Sequence, residues 1–184
     1  MPRKAPKFSK NTIHSVYNDN DEITTLDNKP SYVKVNLLGV GKDKQFIISI
    51  ISLDKVLSHD WYLNKSGYPF SYTAIYHSLH RFLFGRQEKG MVIDHINRDK
   101  LDNRINNLRV ISAKENSYNR TKNSNSENKY KGVQKRGTKY VAVISKDGIR
   151  REIPGFNTEE EAAACYDMMA EEMFGEFAGK NFNK

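Results

Sequence analysis

Asp94 and His95 stand together near the start of VIDHINRDKLDNRINNLRVISAKEN (residues 92–116), and Asn97, Asn103, Asn106, Asn107 and Asn116 follow within the same stretch. A carboxylate and a carboxamide oxygen are suitable ligands for a hard cation such as Mg²⁺ or Mn²⁺. Asp94 and Asn116 therefore form a candidate pair if the intervening chain folds back. A neutral imidazole beside such an ion is poised to take a proton from water, because its ordinary pKa of about 6.5 lies near neutrality. Activated water, with a cation to stabilise the departing 3′ oxygen, is what hydrolysis of a phosphodiester needs. An isolated Asp-His is more often a local hydrogen bond, and loop asparagines usually serve turns and caps. The elements that carry these residues must decide.

MVIDHI reads as a strand ending at the Asp-His pair, NLRVIS as a second strand, and SAKENSYNRT as a helix with Ser112 as N-cap and Glu115 three residues on, a capping-box pattern. A strand, loop, strand, helix unit follows. Upstream, SYVKVNLLGV and KQFIISIIS flank the turn-like GKDK and predict a hairpin near 32–52. Leu53, Val56, Leu57 and Trp61 predict a short helix over LDKVLSHDWYL, with Trp61 in the core, and GYPFSY reads as a strand. Ile75, Leu79, Phe82 and Leu83 recur at helical spacing and stop at Gly85, which suits a C-cap. NRTKNSNSEN (119–128) has no apolar residue and reads as a linker. Beyond it YKGVQK, YVAVIS and IRREI are three short strands with turns at Gly137 and Gly148. They precede a helix capped by Thr158, whose stripe is Ala162, Cys165, Tyr166, Met169, Met173 and Phe174. The expected division is a segment of unknown role at 1–30, a first domain over 31–120, a linker over 121–128 and a second domain over 129–184.

Lys and Arg outnumber Asp and Glu by 30 to 22 in the 184 residues, giving a net charge of +8, which favours a polyanionic partner. The excess is unevenly placed. Eight basic residues lie between Lys129 and Arg151 against Asp147 alone, whereas eight acids and two lysines follow from Glu152 onward. A sheet with one face on a helix and a basic opposite face fits the DNA major groove, where strands read base edges and cations neutralise phosphates. The most apolar stretch, FIISIISL, is far shorter than the roughly 20 residues a spanning helix needs. A basic start without an apolar run argues against export. No membrane association is expected, and the compartment is expected to be cytoplasmic. The single cysteine, Cys165, leaves no internal disulfide and no multi-cysteine site, so no structural zinc is expected.

The first region resembles the HNH endonucleases, in particular their phage- and intron-associated branch. The residues that carry the resemblance are Asp94-His95 and Asn97, then Asp102-Asn103-Arg104 with Asn107-Leu108-Arg109, then Asn116. Leu79-His80-Arg81, Trp61-Tyr62 and Gly67-Tyr68 add to it, so it spans about residues 47–120. It implies a ββα-metal fold in which Asp94 and Asn116 hold a divalent metal, Mg²⁺ or Mn²⁺, and His95 is the general base. Asn107 would orient His95 and hold the loop. His80, Arg81 and Arg109 are possible phosphate contacts.

The second region resembles the Apetala-two/ethylene-response-factor DNA-binding domain through KYKGVQKR, YVAVIS and GFNTEEEAAACYDMMAEEMFGEFAGKNF. That resemblance makes Lys131, Gln134, Arg136 and Tyr140 DNA-facing, with Lys139 and Arg150 as additions. Lys135 belongs with them as a phosphate contact. Lys131, Gln134, Tyr140 and Glu152 stand where that family usually has Arg or Trp, so its sequence preference does not transfer. The whole is an α+β chain: an HNH nuclease domain followed by a three-stranded antiparallel sheet on one helix. Its implied activity is that of a monomeric, phage-type or homing endonuclease nicking double-stranded DNA in a bacterial host. A DNA-binding regulator with a vestigial nuclease unit is the alternative. An RNA-directed protein fits less well, because A-form grooves exclude such a sheet.

Overall fold

The computed structural model describes residues 13–17, 31–120 and 128–182, which divide into two compact units at Ile111/Ser112. Apart from Ile13–Tyr17 and Asn128, the expected N-terminal segment and linker lie outside the described residues.

In the first unit, β1 (Ile13–Tyr17), β2 (Tyr32–Asn36) and β3 (Gln45–Ser49) form an antiparallel meander. The β2–β3 hairpin is the one expected from the two apolar runs. β1 falls within the segment that sequence pattern left without a role. Alternation puts Val33, Val35, Phe46 and Ile48 on one side, where they meet Leu37, Val56, Trp61, Ala74 and Leu79 in a fully buried core. α1 is shorter than its apolar spacing suggests, ending at Leu57 (Leu53–Leu57). Ser58 turns its hydroxyl back onto the Lys55 carbonyl at 2.6 Å, and Trp61 enters the core from the following loop. The indole N–H donates to Val56 O at 2.8 Å, so the ring is buried without an orphaned polar group.

β4 (Tyr62–Leu63) and β5 (Pro69–Phe70) form a minimal hairpin. α2 (Leu79–Phe84) is capped by Gly85 at φ +79°, as expected, but Ile75 lies before the helix and is exposed. β6 (Met91–His95) and β8 (Leu108–Ser112) pair in a two-stranded sheet. Between them the two residues of β7 (Asp102–Asn103) add to the larger sheet, parallel to β3, with Ile47 opposite Asp102 and Ile48 opposite Asn103. That short pairing anchors the loop after His95 to the hydrophobic core.

The second unit contains α3 (Ala113–Asn119), β9 (Val133–Arg136), β10 (Lys139–Lys146), β11 (Ile149–Phe156) and α4 (Glu159–Phe174). Both helices carry complete capping boxes: Ser112 with Glu115, as the sequence predicts, and Thr158, the expected N-cap, with Glu161. The strands form an antiparallel sheet in the order β11-β10-β9. Ala142 and Ile144 pack on Tyr166, Met169, Ala170 and Phe174 of α4, while Val133 meets Ala162 and Ala163. Gly132, at φ +72°, has no substitute: a Cβ there would sit 2.0 Å from the Tyr166 ring. α3 groups with this unit rather than the first, which moves the boundary earlier than residue 120. Tyr118 stacks on Phe174 with centroids 4.1 Å apart, and its carbonyl accepts from Gly179 N.

Candidate active site and candidate nucleic-acid face

β6 delivers Asp94 and His95 side by side, 8% and 5% exposed. Across the two-stranded sheet, Arg109 of β8 donates Nε–H and Nη2–H to Asp94 Oδ2 at 3.2 and 3.1 Å. Its guanidinium is held by a neighbouring carboxylate, which the pairing of β6 with β8 brings beside it.

The loop from Ile96 to Asn107 is a closed polar network. Asn107 donates Nδ2–H to Asp102 O at 2.7 Å and to Asn97 Oδ1 at 2.9 Å, and its Oδ1 accepts from Asn97 N at 3.1 Å. Ile96 N donates to the Asn107 carbonyl at 2.9 Å. Asp102, 2% exposed, accepts from Asn97 Nδ2 and from both the Nε and Nη2 of Arg104. Holding the loop, one of the two tasks expected of Asn107, is visible in these bonds. The hydrogen bond to the His95 ring comes from elsewhere: Asn103 Oδ1 lies 3.3 Å from His95 Nε2. Asn103 is fully buried, a residue that sequence reading left among ordinary turn asparagines. No local signal marks it, because its burial follows from the pairing of β7 with β3.

His80, the second residue of α2, packs its ring edge-to-face on His95 with centroids 5.3 Å apart, and Tyr68 completes the cluster at 4.9 Å from His80 and 5.9 Å from His95. His80 is 7% exposed and its Nδ1 is buried without a hydrogen-bond partner. Its ring is enclosed by two aromatic neighbours, Tyr68 and His95. Burial, then the neighbouring His95 and Arg81, lowers its pKa to about 4. Burial also lowers the His95 pKa, while Asn103, Asp94, Asp102 and Asp99 oppose it. Both rings are thus kept toward the neutral form, and the Tyr68 hydroxyl is pushed up by burial and by Asp94. Arg81 is exposed and shares a cleft of about 240 Å³ with Arg86, Gln87 and the β6 residues Met91, Val92 and Ile93. Asn116 lies on α3, in the second unit, partly buried.

Oxygen chemistry at Asp94 fits a hard cation. Among the described residues no three His, Cys, Asp or Glu side chains gather into a metal cage. A cation here would complete its shell with carboxamide, water and phosphate oxygens.

In the second unit the strand register sorts the expected DNA-facing residues. Ala142 and Ile144 face α4, so Val141, Val143 and Ser145 face the other way. Their cross-strand partners are Gln134, Glu152, Pro154 and Arg150, with Arg136 opposite Lys139. Gln134, Arg136, Lys139 and Arg150 therefore share the face away from the helix. Glu152 sits among them, bonded to Arg136 at 2.9 Å and to Arg150 Nε at 2.7 Å, and Lys139 is bonded to Asn157. Three of the expected residues are placed apart from this face. Lys131 turns its ammonium inward onto the carbonyls of Tyr118 (2.7 Å) and Gly179 (3.4 Å). Tyr140 packs toward Val133 and the first turns of α4, and Lys135, directly opposite Tyr140, has its Nζ 5.9 Å from that ring. For Tyr140 and Lys135 the cause is the two-residue period, since a position one step along a strand is on the other face, whereas Lys131 precedes β9.

Residues 80–118, which include His80, the Asp94-His95 pair, the whole loop and Asn116, match the family model for HNH endonucleases. An uncharacterized HNH endonuclease of Acanthamoeba polyphaga mimivirus is 40% identical over 189 aligned positions, covering 98% of this chain and 94% of the viral protein. The chain belongs to the HNH endonuclease family. It is an HNH endonuclease, and the buried Asp-His pair with its polar loop is the part of the structure that the family model spans. No solved structure matches the chain. No helix among the described residues is long and apolar enough to cross a membrane.

Proposed function

We propose that this HNH endonuclease hydrolyses phosphodiester bonds of double-stranded DNA, one strand per encounter, as a monomer of the homing or phage type. The observation that carries the reading is a buried, neutral-leaning His95 adjacent to Asp94 on one strand end. Asp94 is the carboxylate ligand for Mg²⁺ or Mn²⁺. Asn116 keeps the ligand role that the family resemblance implies. A bound cation would supply charge stabilisation at the scissile phosphate and the leaving oxygen. His95 takes the proton from the attacking water. Arg109 fixes the Asp94 carboxylate, and Arg81 with Arg86 offers cations to the flanking phosphates.

The C-terminal unit acts in this proposal as the DNA anchor, on the model of an Apetala-two/ERF domain. The support is its antiparallel sheet with one face on α4 and Gln134, Arg136, Lys139 and Arg150 on the other. Supercoiled plasmid tests the catalytic half of the reading. Conversion to nicked circles with Mg²⁺ or Mn²⁺, blocked by chelation and abolished in His95→Ala, is expected. Metal titration of Asp94→Ala and Asn116→Ala tests the ligands: unchanged curves would remove either from that role. Direct linearisation at single-turnover protein concentrations would exclude a nicking monomer.

A further inference from the structure

The loop that follows His95 does more than hold itself together. Asn103 is fully buried on β7, and its side chain touches two groups of different character. Its Nδ2–H donates to the Lys100 carbonyl at 3.1 Å. A carbonyl only accepts, so the amide has one permitted orientation, with Oδ1 directed at His95 Nε2, 3.3 Å away. An amide oxygen also only accepts. The proton of a neutral His95 ring therefore belongs on Nε2, and its lone pair on Nδ1.

We propose that Asn103 is a positioning residue that selects the Nε2–H tautomer of His95, so that Nδ1 is the nitrogen that receives the proton from water. The inference rests on the reading of His95 as the general base. Its physical basis is that a histidine acts as a base only through its unprotonated nitrogen, and the hydrogen bond made by the other nitrogen decides which that is. The β3–β7 pairing gives Asn103 the rigidity this requires: Asn103 lies opposite Ile48, and Ile47 N donates to Leu101 O at 2.7 Å. His80 supports the same arrangement from another side, since its ring stands edge-to-face to His95. Asn107, by contrast, spends its carboxamide on Asn97 and Asp102 within the loop.

Long-range ¹⁵N–¹H correlation spectra of full-length protein labelled at histidine distinguish the two neutral tautomers, and His95→Gln assigns the resonances. In mildly alkaline buffer the wild type is expected to show His95 as Nε2–H, and Asn103→Ala a mixture of tautomers. Plasmid nicking by Asn103→Ala should fall in kcat by about 10²-fold, the scale of a misused general base, with KM changed less than about twofold. Asn103→Asp, which keeps an accepting oxygen, should restore the tautomer and recover much of the rate. A wild-type ring protonated on Nδ1 overturns the proposal without reference to any variant. So does an Asn103→Ala protein that keeps the Nε2–H form, or an Asn103→Asp protein that regains the tautomer and not the rate. Full nicking by His95→Ala would instead sink the assignment of the base, which separates the two failures.

Discussion

The loop after His95 and the outer face of the C-terminal sheet both gather polar residues, and they do so on opposite physical terms. In the loop, Asp94, His95, Asp102, Asn103 and Asn107 are all buried, and bonds to named partners hold each of them. Removing one partner there strands another group away from water, which costs far more than the bond itself is worth. On the sheet, Arg136, Lys139 and Arg150 are exposed and share their environment with solvent. Each contributes a modest, screened amount, and the contributions add. The first arrangement gives precise geometry at a few atoms. The second gives a surface on which no single residue is decisive.

The sharpest way to break this contrast is at His95. His95→Ala is expected to lower nicking by about 10²- to 10⁴-fold with DNA affinity nearly unchanged, because the base acts on water and adds little to ground-state binding. Wild-type turnover by this variant would show that the buried cluster is scaffold alone.

Asp102→Ala comes next. It leaves Arg104, about a third exposed, and the Asn97 amide without their acceptor, so a destabilisation of roughly 2–4 kcal/mol is expected, discounted for the guanidinium's access to water. Chemical denaturation reads it, and a loss below about 0.5 kcal/mol would place the loop on the same additive terms as the sheet.

His80 gives the buried site a pH dependence of its own. Its folded pKa of about 4 lies below its ordinary value, so the unfolded chain binds the extra proton first as pH falls. The neutral ring's contribution is fully present above the unfolded pKa of about 6.5 and is lost between there and about 4, on the order of 3 kcal/mol in all. His80→Phe should flatten the stability profile across that window. An equally steep profile in the variant would assign the dependence to other groups.

The smallest effects belong to the sheet. Arg136→Ala should weaken DNA binding at all sequences and reduce the log-log salt slope by about one, whereas Lys135→Ala, on the helix side, should change it less. Glu152→Gln should strengthen binding slightly by releasing two guanidiniums. Equal losses for Lys135→Ala and Arg136→Ala would mean that both faces meet the phosphates.

The amino-acid sequence by itself determined the local parts. Both capping boxes, the Gly85 helix end, the β2–β3 hairpin, the three C-terminal strands and the Asp94-His95 strand end follow from neighbours within a few residues, where side-chain type and spacing dictate the backbone. The family, too, was legible there, because Asp94, His95, Asn107 and Asn116 keep fixed separations. Tertiary structure alone decided the rest. A loop asparagine has the same local propensities whether it caps a turn or faces an imidazole. Only the parallel pairing of β7 with β3, between segments more than 50 residues apart, buries Asn103 beside His95. Arg109 reads as a free cation until β6 and β8 bring it to Asp94, and the cation of Lys131 is absorbed by carbonyls from α3 and the C-terminal segment. Short-range chemistry sets which elements form. Long-range pairing sets which polar groups lose water together, and that desolvation separates the chemically committed residues from those that merely carry charge.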